Sequence, residues 1–175
     1  WLPTYLIGVL GFSLAAAAGI TALVVVLNVP GNVLGGVLMR AGVGAGRLVA
    51  LGSVVMAVTA TGLFLGEALG PVVGIGLCLV FSLFGGLIPA VLFAQIPGAS
   101  PSPAHAGQAN GMLLQGSATG QFLGPPLIGA AVAAAGGLWT GAILPLVLAA
   151  ALTLVLGALG ARQRETGGME SRAGR

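Results

Sequence analysis

The chain has 175 residues, of which 57% are hydrophobic and only 5% charged, with a mean hydropathy of +1.11. An ordinary soluble domain is about 25% charged, so a water-soluble fold is excluded. The net charge of +3 contains no Lys and no Asp, and Arg162, Arg164, Arg172 and Arg175 crowd the C-terminus. That is a charged tail and not a nucleic-acid-binding face.

Between Arg47 and Arg162 the only formal charge is Glu67, and the only other titratable groups are Cys78 and His105. Such a stretch belongs in lipid. Trp1 stands where a Met would start a complete chain, and the first residues read as the end of a hydrophobic element. A fragment or processed chain is expected, without a readable signal peptide.

Taken in chain order, apolar runs long enough to cross a bilayer extend over Leu14 to Leu38, Leu48 to Leu65, Val72 to Ala94, Gln108 to Ala135, and Leu138 to Ala161. The expected fold is therefore all-α: a polytopic transmembrane bundle of about five full crossings, preceded by the end of a sixth helix near Leu6. Residues 1–161 form the bundle and residues 162–175 a polar, disordered cytoplasmic tail. The breaks are a Gly-rich basic loop from Arg40 to Arg47, a tight turn from Gly66 to Pro71, a loop with three Pro from Ile96 to Gly107, and Gly136-Gly137. Pro30, Pro89 and Pro145 fall inside runs and are expected to kink helices without ending them.

Orientation follows from the bias of Lys and Arg toward cytoplasmic loops. Arg40 and Arg47 mark one such loop, and Arg162 and Arg164 mark the tail. Four crossings separate the two, which returns the chain to the same side, with the N-terminus outside and the C-terminus in the cytoplasm. Trp1, Tyr5 and Trp139 then fall near outer boundaries, where aromatic rings favour the headgroup region.

Two runs carry most of the polar information. In the first, Gly31 and Gly35 form a small-xxx-small pair, and Thr21, Asn28 and Asn32 recur at spacings that place them on one stripe. In the fourth, Gly116, Gly120 and Gly124 repeat every fourth residue and lead into Pro125-Pro126. Gln108, Gln115 and Thr119 form a polar stripe there, with Gln121 beside it. Two roles fit these stripes. The amides can glue helices through interhelical hydrogen bonds, or Thr21, Asn28, Asn32, Gln115 and Thr119 can face an aqueous cavity and bind solute.

The remaining chemistry is sparse. Glu67 in a short outer turn reads as a solvated carboxylate and not a proton relay, Cys78 as a small buried hydrophobe without a disulfide partner, and His105 as a solvated loop residue. No metal site or cofactor is expected. No nucleophile stands beside a base and no carboxylates are paired; the stretch Gly42-Val43-Gly44-Ala45-Gly46 lacks the Lys of a phosphate loop. An enzyme is not expected.

The segment Gly35 to Gly42, with Arg40 and Gly42 in place, resembles the loop motif Gly-x-x-x-Asp-Arg-x-Gly of the major facilitator superfamily, with Met39 in place of the Asp. That family has twelve helices in two halves, and a degenerate motif copy implies the loop after its eighth helix. Leu2 to Leu6, Ala18-Gly19, Thr21-Ala22 and Asn28 to Gly36 are similar to the seventh and eighth helices of bacterial members, in particular the cyanate-transporter-like permeases. Gly120, Gly124 and Pro125 are similar to the Gly-x-x-x-Gly-Pro antiporter motif, here on the symmetry-related eleventh helix, with Gly129 one residue out of register. The resemblance implies the C-terminal half of a secondary transporter in a bacterial inner membrane, moving a small solute by alternating access beside a missing N-terminal half. Two other classes compete: a non-transporting accessory or assembly subunit, and the permease of an ATP-driven importer. The second needs a charged coupling helix, which Ile96 to Gly107 does not offer.

Overall fold

The computed structural model describes residues 2–65 and 69–173, with side chains described except at 99, 103 and 159–173. Six α-helices follow one another: α1 Leu2–Gly8, α2 Leu14–Arg40, α3 Ala45–Leu65, α4 Pro71–Ala99, α5 Pro103–Ala134 and α6 Ile143–Ala173, the last preceded by a 3-10 turn, Trp139–Ala142. The described residues contain no strand. Among the described residues four stretches are long and apolar enough to cross a membrane: α2, α3, Pro71–Gly98 of α4, and Trp139–Ala158, which joins the 3-10 turn to α6. α5 is as long as these but falls outside the group, because Gln, Asn, Ser, Thr and Gly interrupt its apolar surface.

The helix ends have local causes. Ser13 caps α2 by accepting a hydrogen bond from the Ala16 amide at 3.2 Å. α2 closes with a Schellman motif: the Gly42 amide donates to Met39 and the Val43 amide to Leu38, both at 3.0 Å, with Gly42 at φ +87°. α5 closes in the same way, Gly136 donating to Ala133 and Gly137 to Val132.

One expected break is corrected. The Pro-rich segment from Ile96 to Gly107 is not a long loop: α4 runs through Pro97 to Ala99, and α5 starts at Pro103, leaving only residues 100–102 between them. Pro at the first position of a helix costs no hydrogen bond, so Pro103 starts a helix as readily as Pro71 does. His105 accordingly lies in the first turn of α5, its Nδ1 2.7 Å from the Ser102 hydroxyl. At the other end α6 extends to Ala173. Trp1 and the Glu67 turn lie outside the described residues, as do the side chains of Arg162 and Arg164.

α4 is the centre of the bundle. It packs against α2 on one side and α3 on the other; α3 also packs against α6, and α1 against α2. α5 touches α4 and α6 sparsely and leans mainly on the 3-10 turn. Two clusters define the ends. At one, Leu48, Val49, Leu87 and Val91 form a buried core joined by Leu38, Met39 and Val43. At the other, the Tyr5, Phe64 and Trp139 rings meet, with Tyr5 edge-on to both at 5.4 Å and Phe64 stacked on Trp139 at 6.0 Å. Outside, apolar side chains such as Leu14, Val72 and Phe122 stand exposed along the helices.

Candidate functional site

The α2 stripe is drawn into the seam with α4. The Asn28 side-chain amide donates to the Ser82 carbonyl at 3.2 Å, and the Ser82 hydroxyl donates back to the Val24 carbonyl. Asn32 donates to both the Oδ1 and the backbone carbonyl of Asn28, each at 2.9 Å, one turn below. Thr21 uses its hydroxyl on the Ala17 carbonyl of its own helix at 2.7 Å.

These bonds form because the two backbones nearly touch. A Cβ on Gly31 would overlap the Leu83 carbonyl, and one on Gly86 would overlap the carbonyl of Asn28. At Gly35 it would stand 3.1 Å from the Leu87 carbonyl oxygen and 3.2 Å from the Ala90 Cβ. The mating surface on α4 is Ser82, Gly86 and Ala90, a second row of small residues at four-residue spacing. Sequence reading missed it, although the same small-xxx-small rule that found Gly31 and Gly35 also detects this row.

α5 presents the opposite picture. Nothing lies within 4 Å of where a Cβ would stand at Gly116, Gly120 or Gly124. Gln108, Gln115, Thr119 and Pro125 are exposed. Thr119 donates to the Gln115 carbonyl at 2.8 Å and Gln121 to the Ser117 hydroxyl at 3.1 Å, both within the helix. Among the described residues the side chains of Gln108 and Gln115 have no hydrogen-bond partner. Asn28 and Gln115, grouped by sequence as possible pathway residues, are thus in different surroundings: one joins two helices, the other stands on an open face.

In the loop, Gly42 serves as the left-handed residue that ends α2, and Arg40 and Arg47 are exposed. Met39, where the motif has Asp, packs against the apolar core cluster, a place where a carboxylate would lose its hydration. Among the described residues no group of His, Cys, Asp or Glu has the makings of a metal site.

No protein-family model, curated protein or solved structure matches the chain. Among the described residues these surfaces supply hydrogen-bonding amides and hydroxyls on helices.

Proposed function

We propose that this chain is one half of a secondary transporter of the major facilitator type, embedded in a bacterial inner membrane with its N-terminus outside and C-terminus inside. The observation that carries this is α5. A helix with Gln108, Gln115 and Thr119 on one stripe and Gly116, Gly120 and Gly124 on another is costly in hydrocarbon unless a second body or water meets it. Nothing in the described residues does. In the proposal Gln115 and Thr119 line a solute pathway between this bundle and an N-terminal half.

Chain geometry supports a fifth crossing by α5. It starts just after α4, whose Leu87 and Val91 lie in the core cluster at one end, and finishes beside Trp139 at the aromatic end. Its 32 residues reach roughly 48 Å at 1.5 Å each, ample for a bilayer. With five crossings, Arg40, Arg47 and the tail arginines share one face, as the positive-inside rule requires.

The experiment joins this chain to an N-terminal half in a Cys78→Ala background and places cysteine at position 115. A membrane-impermeant thiol reagent is expected to label it, and solute uptake in proteoliposomes is expected only when both halves are present. Full protection of position 115 together with uptake by this chain alone would refute the half-transporter.

A second class, a non-transporting membrane subunit, has support from α2. Its amides already serve to hold helices together, as they would in a packing protein. Protection at position 115 combined with absence of uptake by either arrangement favours it.

A further inference from the structure

A half-open cavity of about 210 Å³ lies at the aromatic end of the bundle, lined among others by Tyr5 of α1, Thr59, Ala60 and Phe64 of α3, Cys78 of α4 and Trp139 of the 3-10 turn. Among the described residues none of its lining is charged and none belongs to α5. Its hydroxyls are already committed: Tyr5 donates to the Leu63 carbonyl at 2.9 Å, and the Thr59 hydroxyl is aimed at the Val55 and Met56 carbonyls at 2.7 and 3.2 Å.

A confined water needs two to four polar partners, whereas an apolar cavity of about 150 Å³ stays dry and accepts a benzene-sized solute. An ion entering this space would lose its hydration and meet no counter-charge among the described lining residues. The geometry points to a binding site for a small uncharged apolar group, an aromatic ring or the end of an alkyl chain, seated against Tyr5, Phe64 and Trp139. The site is independent of the transport proposal, because its walls belong to this chain and stand apart from the α5 stripe.

Two built-in reporters make it testable. Trp139 lines the cavity and becomes the only tryptophan once Trp1→Phe is introduced, and Cys78 is the only cysteine. The full chain in phosphatidylcholine nanodiscs is titrated with bromobenzene, whose heavy atom quenches indole fluorescence. A saturable quenching component is expected above the linear background from probe dissolved in lipid. Alkylation of Cys78 by N-ethylmaleimide is expected to slow severalfold at saturation.

Replacing the lipid with one brominated near its chain ends separates two sources of the same chemistry. Strong quenching of Trp139 that unlabelled benzene relieves identifies a lipid chain as the resident, and quenching no greater than surface contact gives identifies a free solute. Ala60→Leu, which fills the cavity, is expected to abolish saturation. Because that variant can fail to fold, protection of Cys78 in the chain with native Ala60 decides. Strictly linear quenching together with an unchanged Cys78 alkylation rate would overturn the proposal.

Discussion

α2 and α5 are made of the same materials: a glycine row at four-residue spacing with amide and hydroxyl side chains beside it. On α2, Gly31 and Gly35 rest on the α4 backbone and Asn28 is bonded across the seam, whereas on α5 the glycines face open space and Gln115 has no partner among the described residues. The difference lies in the second surface. A small-residue row grants a helix the capacity for close approach, but the capacity is used only where another row, here Ser82, Gly86 and Ala90, is presented in register.

The largest effect is expected where the backbones touch. In Gly31→Leu the first side-chain carbon itself would overlap the Leu83 carbonyl, so no rotamer relieves the clash and α2 must move off α4. Overpacking commonly costs about 1–3 kcal/mol, and a backbone collision belongs at or above the top of that range. Gly120→Leu in the same chain is expected to leave stability nearly unchanged, since nothing stands within 4 Å. Joined to an N-terminal half, the same Gly120→Leu is expected to lose transport. Denaturant unfolding in mixed micelles measures the first two and proteoliposome uptake the third. Equal destabilisation by the two leucines would erase the distinction between the helices.

How much of this was legible in the sequence depends on the interaction that decides each feature. Helix bodies were legible, since uninterrupted apolar residues and Gly-Gly or Gly-Pro breaks act locally; Gly42 and Gly136 end helices as their placement implied. The Ile96 to Gly107 segment was misread because three prolines suggest a loop, while Pro103 sits at the one helix position that tolerates it. The separate fates of Asn28 and Gln115 were not legible. Both are amides on a stripe beside glycines, and the stripe period describes one helix without naming its neighbour. The cavity was hidden for a similar reason, as its walls come from segments as far apart as Tyr5 and Trp139.

A smaller effect tests the polar side of the comparison. Asn28→Ala removes the bond to Ser82 and the side-chain anchor of Asn32. Interhelical hydrogen bonds in membrane hosts average about 0.6 kcal/mol and reach ~1.7, so a loss within that span is expected. Gln115→Ala is expected to cost nothing in the chain alone. A comparable loss from both would mean that α5 has a partner here after all.

At the aromatic end Tyr5→Phe keeps the edge-on contacts with Phe64 and Trp139 and deletes the hydroxyl that donates to Leu63. The expected loss is about 0.5–1.5 kcal/mol, the usual net worth of one hydrogen bond. Tyr5→Ala, which also removes the ring, is expected to cost more. If Tyr5→Phe alone matched Tyr5→Ala, the bond and not the ring packing would be what ties α1 to α3.

The smallest effect is expected at Ser53 and has the opposite sign. This residue of α3 is 2% exposed, yet its Oγ has no hydrogen-bond partner among the described residues. Asn28, Ser82 and Thr59, in the same packed part of the bundle, all bond to carbonyls. A buried polar atom left unpaired carries a desolvation cost, and removing it by an isosteric apolar change is close to neutral or stabilising. Ser53→Ala loses only the hydroxyl and leaves a void too small to matter much, while Ala is the better helix former. The two gains predict a stabilisation of at most about 1 kcal/mol, and more reasonably a few tenths, by the same mixed-micelle unfolding. A clear destabilisation by Ser53→Ala would reveal that the hydroxyl bonds across the bundle in the membrane. The packed part would then follow one rule throughout, with every buried hydroxyl serving as a link between or within helices.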